Sequence, residues 1–234
     1  MVNEISALKD LIPTERLTAI NRLLEAQGLR SFPSLGDNAA GLPEIIDVVE
    51  WLPPHTVQWR DVVFLVRRVN GTEYKHQVRF NVNGSACDGV VFIPVINDSV
   101  ALVRQFRIPV GLETWELPRG FAENTADLIG HGDARVPPAL FRELDEEVIK
   151  AASIKRVESL GTIADNTGTH NVWLEAYVVY IECAPEILQE RLGGTNKFGV
   201  KLVSWDELER PSTLGVRDAH SLAAIALVCE RRAI

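Results

Sequence analysis

Cysteine is scarce in this 234-residue chain. Cys87, Cys183 and Cys229 are odd in number, far apart and without paired Cys or His spacing, which argues against a disulfide framework and against a structural zinc site. Long apolar runs are lacking as well. No stretch of about 18 apolar residues occurs, and the opening segment MVNEISALKD carries acids where a secretory signal would place an apolar core. A cytoplasmic protein with no membrane partner is the expectation. Positive charge is in deficit: 24 Lys and Arg stand against 32 Asp and Glu, for a formal net charge of -8. A general nucleic-acid surface needs a basic face, so no nucleic-acid partner is expected, and an anionic substrate would need a local cation. Internal repeats and low-complexity tracts are missing too.

What is present falls into four stretches. Residues 1–45 form a helical extension and linker: Thr14 can cap a segment whose Leu17, Ile20, Leu23 and Leu24 share one face, and a Gly-, Pro- and Ser-rich stretch from about 29 to 45 follows. Residues 46–85 switch to a strand period. TVQWRDVVFLVRRV, the Asn70-Gly71 turn and YKHQVRFNV predict an antiparallel hairpin. Residues 86–210 carry further strands, GVVFIPVI and SVALVRQFR, then WELPRG, a loop and the helix PALFRELDEEVIKAA, which starts at the Pro137-Pro138 pair. Apolar stretches around 157–163 and 172–181 and the short strand VKLVSW follow. Residues 211–234 hold a final amphipathic helix from about Arg217 to Arg231. Strands on both sides of a single helix, without strand-helix alternation, predict a mixed α+β sandwich rather than a doubly wound sheet.

The chemistry concentrates in Arg142-Glu143-Leu144-Asp145-Glu146-Glu147. In an α-helix Glu143, Glu146 and Glu147 lie within an arc of roughly 100°, while Leu140, Leu144 and Val148 form a separate apolar stripe. Each like-charge pair at i,i+4 costs a helix about 0.2–0.5 kcal/mol, and an acidic solvated face is the commonest meaning of such a cluster. A dication gives it a second meaning, because Mg²⁺ takes oxygen ligands from one or two carboxylates, waters and substrate phosphates. Such an ion favours attack of water on a phosphoanhydride. Arg142, at i+4 from Glu146, can orient that side chain.

These residues, with Gly120 and the lead-in WELPRG, resemble the Nudix hydrolase family over about residues 86 to 210. The family pattern sets a glycine, a glutamate and then Arg-Glu-apolar-x-Glu-Glu-x-Gly-apolar. Here Gly120 and Arg142 are eight residues further apart than in that pattern, Ala134 with Asp133 beside it takes the place of the first glutamate, and Ile149-Lys150 replaces the final glycine and apolar residue. The resemblance implies a Nudix-type α/β/α sandwich with a mixed sheet, with the N-terminal extension and hairpin added to it. It also implies Mg²⁺ or Mn²⁺ held by Glu143, Glu146, Glu147 and the backbone carbonyl of Arg119, with Arg142 among the catalytic residues.

The run DGVVFIPVINDSVALVRQFRIPVGLETWELPRGF is similar to the ADP-ribose and nucleotide-sugar pyrophosphatase branch. That likeness implies substrate-binding roles for Arg104, Arg107, Glu116 and Trp115. Arginine forks suit phosphate, although strand-end arginines are also ordinary surface residues. Glu116 can hold a metal-bound water or simply pair with Arg104 or Arg107; Trp115 can stack on a base or belong to the core. His170 and His131 can contact substrate or serve as turn residues, and Glu186 or Glu190 is in the region of a later base. The same branch implies a homodimer built through the N-terminal hairpin. The expected activity is metal-dependent hydrolysis of a nucleotide-sugar-like diphosphate, the alternative being a catalytically weak module of the same fold that senses a nucleotide.

Overall fold

The computed structural model describes residues 44–52, 59–81, 87–107, 111–122, 137–149, 153–165, 170–193 and 199–232. The expected helix at 14–28 and the loop around 128–135 with His131, Asp133 and Ala134 lie outside them. The chain divides into two compact units, residues 1–88 with 164–173, and residues 89–163 with 174–234.

In the first unit β1 (Glu44–Leu52), β2 (Trp59–Arg67), β3 (Glu73–Asn81) and β9 (His170–Asn171) form one sheet in that order. The hairpin expected at Asn70-Gly71 joins β2 to β3 in antiparallel register. Gly71 takes a left-handed φ of 83°, and the Asn70 carboxamide oxygen accepts from Thr72 N (3.1 Å) and Thr72 Oγ1 (2.8 Å). Asn70 and Gly71 each supply what such a turn requires. β1 is a strand that the sequence reading did not anticipate. It pairs antiparallel with β2, but its register slips between Ile45 and Asp47 and again between Val48 and Glu50. Such bulges break the period of two that identifies a strand.

The second unit is built on a seven-stranded mixed sheet. Its main path runs β11 (Val200–Val203), β5 (Ser99–Arg107), β4 (Gly89–Ile96), β10 (Trp173–Glu182) and β8 (Ser153–Ala164). β4 and β5 occupy the spans expected of them, and β4 is buried along its whole length. An uninterrupted apolar strand belongs at the centre of a sheet covered on both faces. Its alternate residues feed two cores. Val91, Ile93 and Val95 pack with Ala224, Ile225 and Val228 of the last helix, α4 (Ala219–Arg232). Val90 and Phe92 pack with Ala139, Leu140, Leu144 and Val148 of the acidic helix. The result is the helix-sheet-helix layering that the resemblance implied.

The site depends on a split in this sheet. β4 and β5 pair only beside their turn, at Val95–Val100 and Ile96–Ser99. Beyond that β5 pairs instead with β6 (Leu112–Glu116), and β4 with β7 (Arg119–Phe121), both antiparallel. The segment WELPRG is thus wedged between two strands of one hairpin. Gly89 permits the closeness: a Cβ there would lie 2.2 Å from the Gly120 carbonyl oxygen.

Two expected ends move. VKLVSW stops as a strand at Val203, because Ser204 opens a short helix, α3 (Trp205–Leu208), preceded in the chain by α2 (Pro185–Gly193). Ser204 and Glu207 form a reciprocal capping box, Ser204 N donating to Glu207 Oε2 at 2.8 Å and Glu207 N to Ser204 Oγ at 3.2 Å. The acidic helix, expected through Ala152, ends at Val148; Ile149 is extended (φ -156°) and buried in the core.

Candidate functional site

The acidic helix, α1, runs as an α-helix over Pro138–Glu143 and then widens into a π turn over Leu144–Val148. Ile149 N donates to Leu144 O at 2.8 Å, an i→i+5 bond. Four apolar side chains, Leu140, Leu144, Val148 and Ile149, are buried beneath it. At about 1.5–3 kcal/mol for each buried side chain of this size, their packing outweighs by far the ~0.2–0.5 kcal/mol repulsion of each glutamate pair. Packing therefore fixes the helix, and the carboxylates are carried into place.

The wider turn changes which glutamates meet. An α-helix advances about 100° per residue, and an i→i+5 turn advances less, so Glu147 stays over Glu143 while Glu146 swings away. Glu146 is exposed. Glu143 and Glu147 are partly buried, and the charge of each is felt by the other. Among the described residues no three acidic, histidine or cysteine side chains gather into a single cluster; of the three expected glutamates the fold brings Glu143 and Glu147 together, and Glu146 stands apart from them.

Around the pair, each contact traces to the sheet split. Gly120 faces Glu143 so closely that a Cβ would lie 1.8 Å from Glu143 Oε1. Only glycine leaves room for that carboxylate. Arg142, expected to orient Glu146, donates from Nη2 to the Phe121 carbonyl (2.8 Å) and to Glu143 Oε1 (3.2 Å), tying the helix to β7. Glu147 Oε1 accepts from Gln105 Nε2 at 2.7 Å, and Glu147 Oε2 from Arg119 N at 3.2 Å. In the β4–β7 ladder Pro118 O accepts from Phe92 N, so the next residue, Arg119, turns both of its backbone groups away from β4. Its carbonyl thus faces the side on which Glu147 lies. Burial, and after it the charge of Glu143, push the Glu147 carboxyl up to about 7; the Arg119 N–H, the Arg107 charge and the Gln105 amide pull the other way and do not prevail.

The four expected substrate residues separate by strand parity. Arg107 and Glu116 share the face of Gln105 and Val103, which is the face of α1. Arg107 Nε donates to both Glu116 oxygens at 3.0 Å, and Thr114 Oγ1 donates to the same carboxylate. Of the two readings open for Glu116, pairing with Arg107 is what the structure shows; its side chain is 1% exposed. The hydrogen bonds to that partner raise the Arg107 pKa further. Arg104 and Trp115 fall on the opposite face. Arg104 is exposed and 3.8 Å from Glu113, while Trp115 packs against the α4 core with Lys201 Nζ 4.3 Å above its ring. The core reading of Trp115 is the one its packing shows. Glu186 and Glu190 lie exposed on α2.

Sequence reasoning missed three residues at the start of α4. Asp218 Oδ1 lies 3.0 Å from Arg119 Nη2, and its Oδ2 accepts from Ser221 N and Ser221 Oγ, each at 2.9 Å. Ser221 Oγ in turn accepts from Leu117 N at 2.9 Å, and His220 Nδ1 contacts Arg119 Nη1. Burial alone would raise the Asp218 carboxyl. The His220 ring, the Arg119 charge and the Ser221 donors instead hold it well below the ordinary carboxylate range. An Asp three residues before a Ser, at the head of an apolar period, was the available signal.

The first unit carries a polar cavity of its own, about 240 Å³, lined by Asp61, Gln77, Arg79 and His170. Arg79 Nε and Nη2 grip the two Asp61 oxygens at 2.8 and 2.9 Å, and His170 Nδ1 lies 2.7 Å from Asp165 Oδ2.

No family model matches the sequence, and neither does any curated protein. In three dimensions the chain matches the crystal structure of an ADP compounds hydrolase with a TM-score of 0.53, over 80% of this chain and 92% of that one. The fold is Nudix-like. At 15% identity the likeness concerns the fold alone. Among the described residues no helix is long and apolar enough to cross a membrane.

Proposed function

We propose that this chain is a hydrolase that cleaves the diphosphate bond of a nucleoside diphosphate linked to a second moiety, ADP-ribose or a nucleotide sugar, with Mg²⁺ or Mn²⁺ as cofactor. The observation that carries the reading is the Glu143–Glu147 pair: two partly buried carboxylates, one with its pKa pushed to about 7, beside a strand carbonyl. Among the described residues, the hydrogen-bond donors to Glu147 are both neutral. All-oxygen donors of this hardness fit Mg²⁺, which keeps several waters and completes its shell with substrate phosphates, so two carboxylates and a carbonyl suffice. The named activity of the structural neighbour supports the nucleotide class.

Glu143, Glu147 and the Arg119 carbonyl would hold the ion, which when bound neutralises phosphate charge and makes water easier to deprotonate. The chain supplies the rest. Gln105 and the Arg119 N–H orient the Glu147 oxygens, and Arg142 locks the helix that carries both acids to β7. Water adds to one phosphorus, the bridging P–O bond breaks with its electron pair leaving on the other phosphate, and the proton lost by water passes to a carboxylate of the site or to solvent. Arg107, 36% exposed, presents a cation on the same face as the acid pair for the phosphate oxygens. In this proposal the enzyme works in the cytoplasm as a homodimer formed through its N-terminal hairpin.

The test is release of phosphate monoesters from ADP-ribose, other nucleotide sugars, dinucleoside polyphosphates and NADH, with Mg²⁺, Mn²⁺ or EDTA, coupled to a phosphatase. EDTA-sensitive release from the first two groups is expected. No release from any of them, with thermal stabilisation by the same compounds, would replace the hydrolase with a nucleotide sensor.

A further inference from the structure

The head of α4 grips the segment that aims the acid pair, and it does so at two points. Ser221 Oγ accepts from Leu117 N, and Asp218 Oδ1 lies 3.0 Å from the Arg119 guanidinium. Between and just after these anchors come the groups that touch the pair: Arg119 N, which donates to Glu147, and Gly120, which faces Glu143. Arg119 also lies 3.6 Å from Glu116, which is itself gripped by Arg107. Arg107, Glu116, Arg119 and Asp218 thus alternate in sign across the split sheet. The side chains of Glu116 and Asp218 are only 1% and 11% exposed, so neither carboxylate can easily trade its arginine for water.

We propose that Asp218 is a positioning residue for the reaction: by holding the Arg119 guanidinium it fixes the backbone of Arg119, and through that backbone the orientation of Glu147. This rests on the reading of the acid pair given above. Without the Asp218 charge, Arg119 keeps Glu116 as its nearest carboxylate, Glu116 is drawn from Arg107, and the 118–119 peptide turns its N–H away from Glu147. Asp218 touches neither substrate nor reacting atoms, so its effect belongs in turnover rather than in substrate affinity. A residue that only capped α4 would behave differently, because asparagine caps a helix as well as aspartate does.

The experiment compares Asp218→Asn, Arg119→Gln, the double variant and Glu147→Gln in the intact chain, with kinetics and amide hydrogen exchange read together. Asp218→Asn is expected to lower kcat on the order of 10- to 100-fold with KM within about threefold of wild type. Exchange at the Arg119 amide should rise about 10-fold or more while that of Val91 on β4 holds. The double variant should be within about threefold of Arg119→Gln, since both act through one contact. Wild-type kcat in Asp218→Asn, equal acceleration of exchange at Val91 and Arg119, or losses that multiply would each overturn the proposal. Glu147→Gln separates the two ideas. If it abolishes turnover while Asp218→Asn keeps the wild-type kcat, the positioning role alone fails; if it turns over like wild type, the reading of the acid pair fails and takes this role with it.

Discussion

The two units each withdraw a carboxylate from water and treat it in opposite ways. Asp61 in the first unit is fully buried and closed by a two-pronged Arg79. That contact raises the Arg79 pKa, through the hydrogen bond first and with charge attraction added, against the opposing effect of burial. Glu147 in the second unit is given an amide and a backbone N–H, and the charge of another glutamate outweighs that of Arg107 on it. One carboxylate is satisfied by the fold, and the other is held in a form that only a proton or a cation can satisfy. A closed ion pair is a structural device. An acid kept short of positive charge costs the fold stability, and such a cost is the mark of a site.

The contrast can be broken most forcefully at Glu147. Replacing it with glutamine keeps the shape and removes the charge, so kcat should fall about 100-fold or more while the melting temperature holds or rises; calorimetry alongside the phosphatase-coupled assay reads both. Gly120→Ala comes next. Its methyl group must displace the Glu143 carboxylate, and a loss of activity with about 1–3 kcal/mol of destabilisation is expected from such overpacking, measured by denaturant unfolding.

In the first unit the expected sign reverses. Arg79→Met removes the two-pronged partner of the buried Asp61, and breaking a buried pair in this direction costs up to about 3–5 kcal/mol, visible as an earlier unfolding transition. The smallest effect is in pH. The Glu147 pKa is raised from 4.5 to about 7 on folding, so the folded metal-free protein binds the proton more tightly than the unfolded chain. Its contribution to stability is full below about 4.5 and is lost as pH rises through about 7. The metal-free melting temperature should therefore decline across that window, and Glu147→Gln should flatten the decline. A slope unchanged in the variant would remove Glu147 as its source.

Much of this was legible in the sequence where local pattern and final environment agree. β4 is an unbroken apolar run because helices cover both of its faces, and β5 alternates because one face of its outer half carries Gln105 and Arg107 toward the acids. The apolar stripe Leu140, Leu144, Val148 gave α1 its buried side correctly. The 3.6-residue period does not, however, reveal a π turn, so the exposed position of Glu146, apart from Glu143 and Glu147, could not be read from spacing. β1 escaped notice because its bulges interrupt the alternation. Asp218 and Ser221 read as an ordinary helix start, and nothing local links them to Leu117 and Arg119, about a hundred residues earlier; only the split sheet brings these segments together.

The central claim, that Glu143 and Glu147 form a cation site, is tested most directly by titrating Mn²⁺ into the protein and following its free signal by electron paramagnetic resonance, for wild type, Glu143→Gln and Glu147→Gln. Wild type should take up one ion per chain in competition with Mg²⁺, and each variant should bind at least about 10-fold more weakly. Equal uptake by all three, or none by wild type, would contradict it.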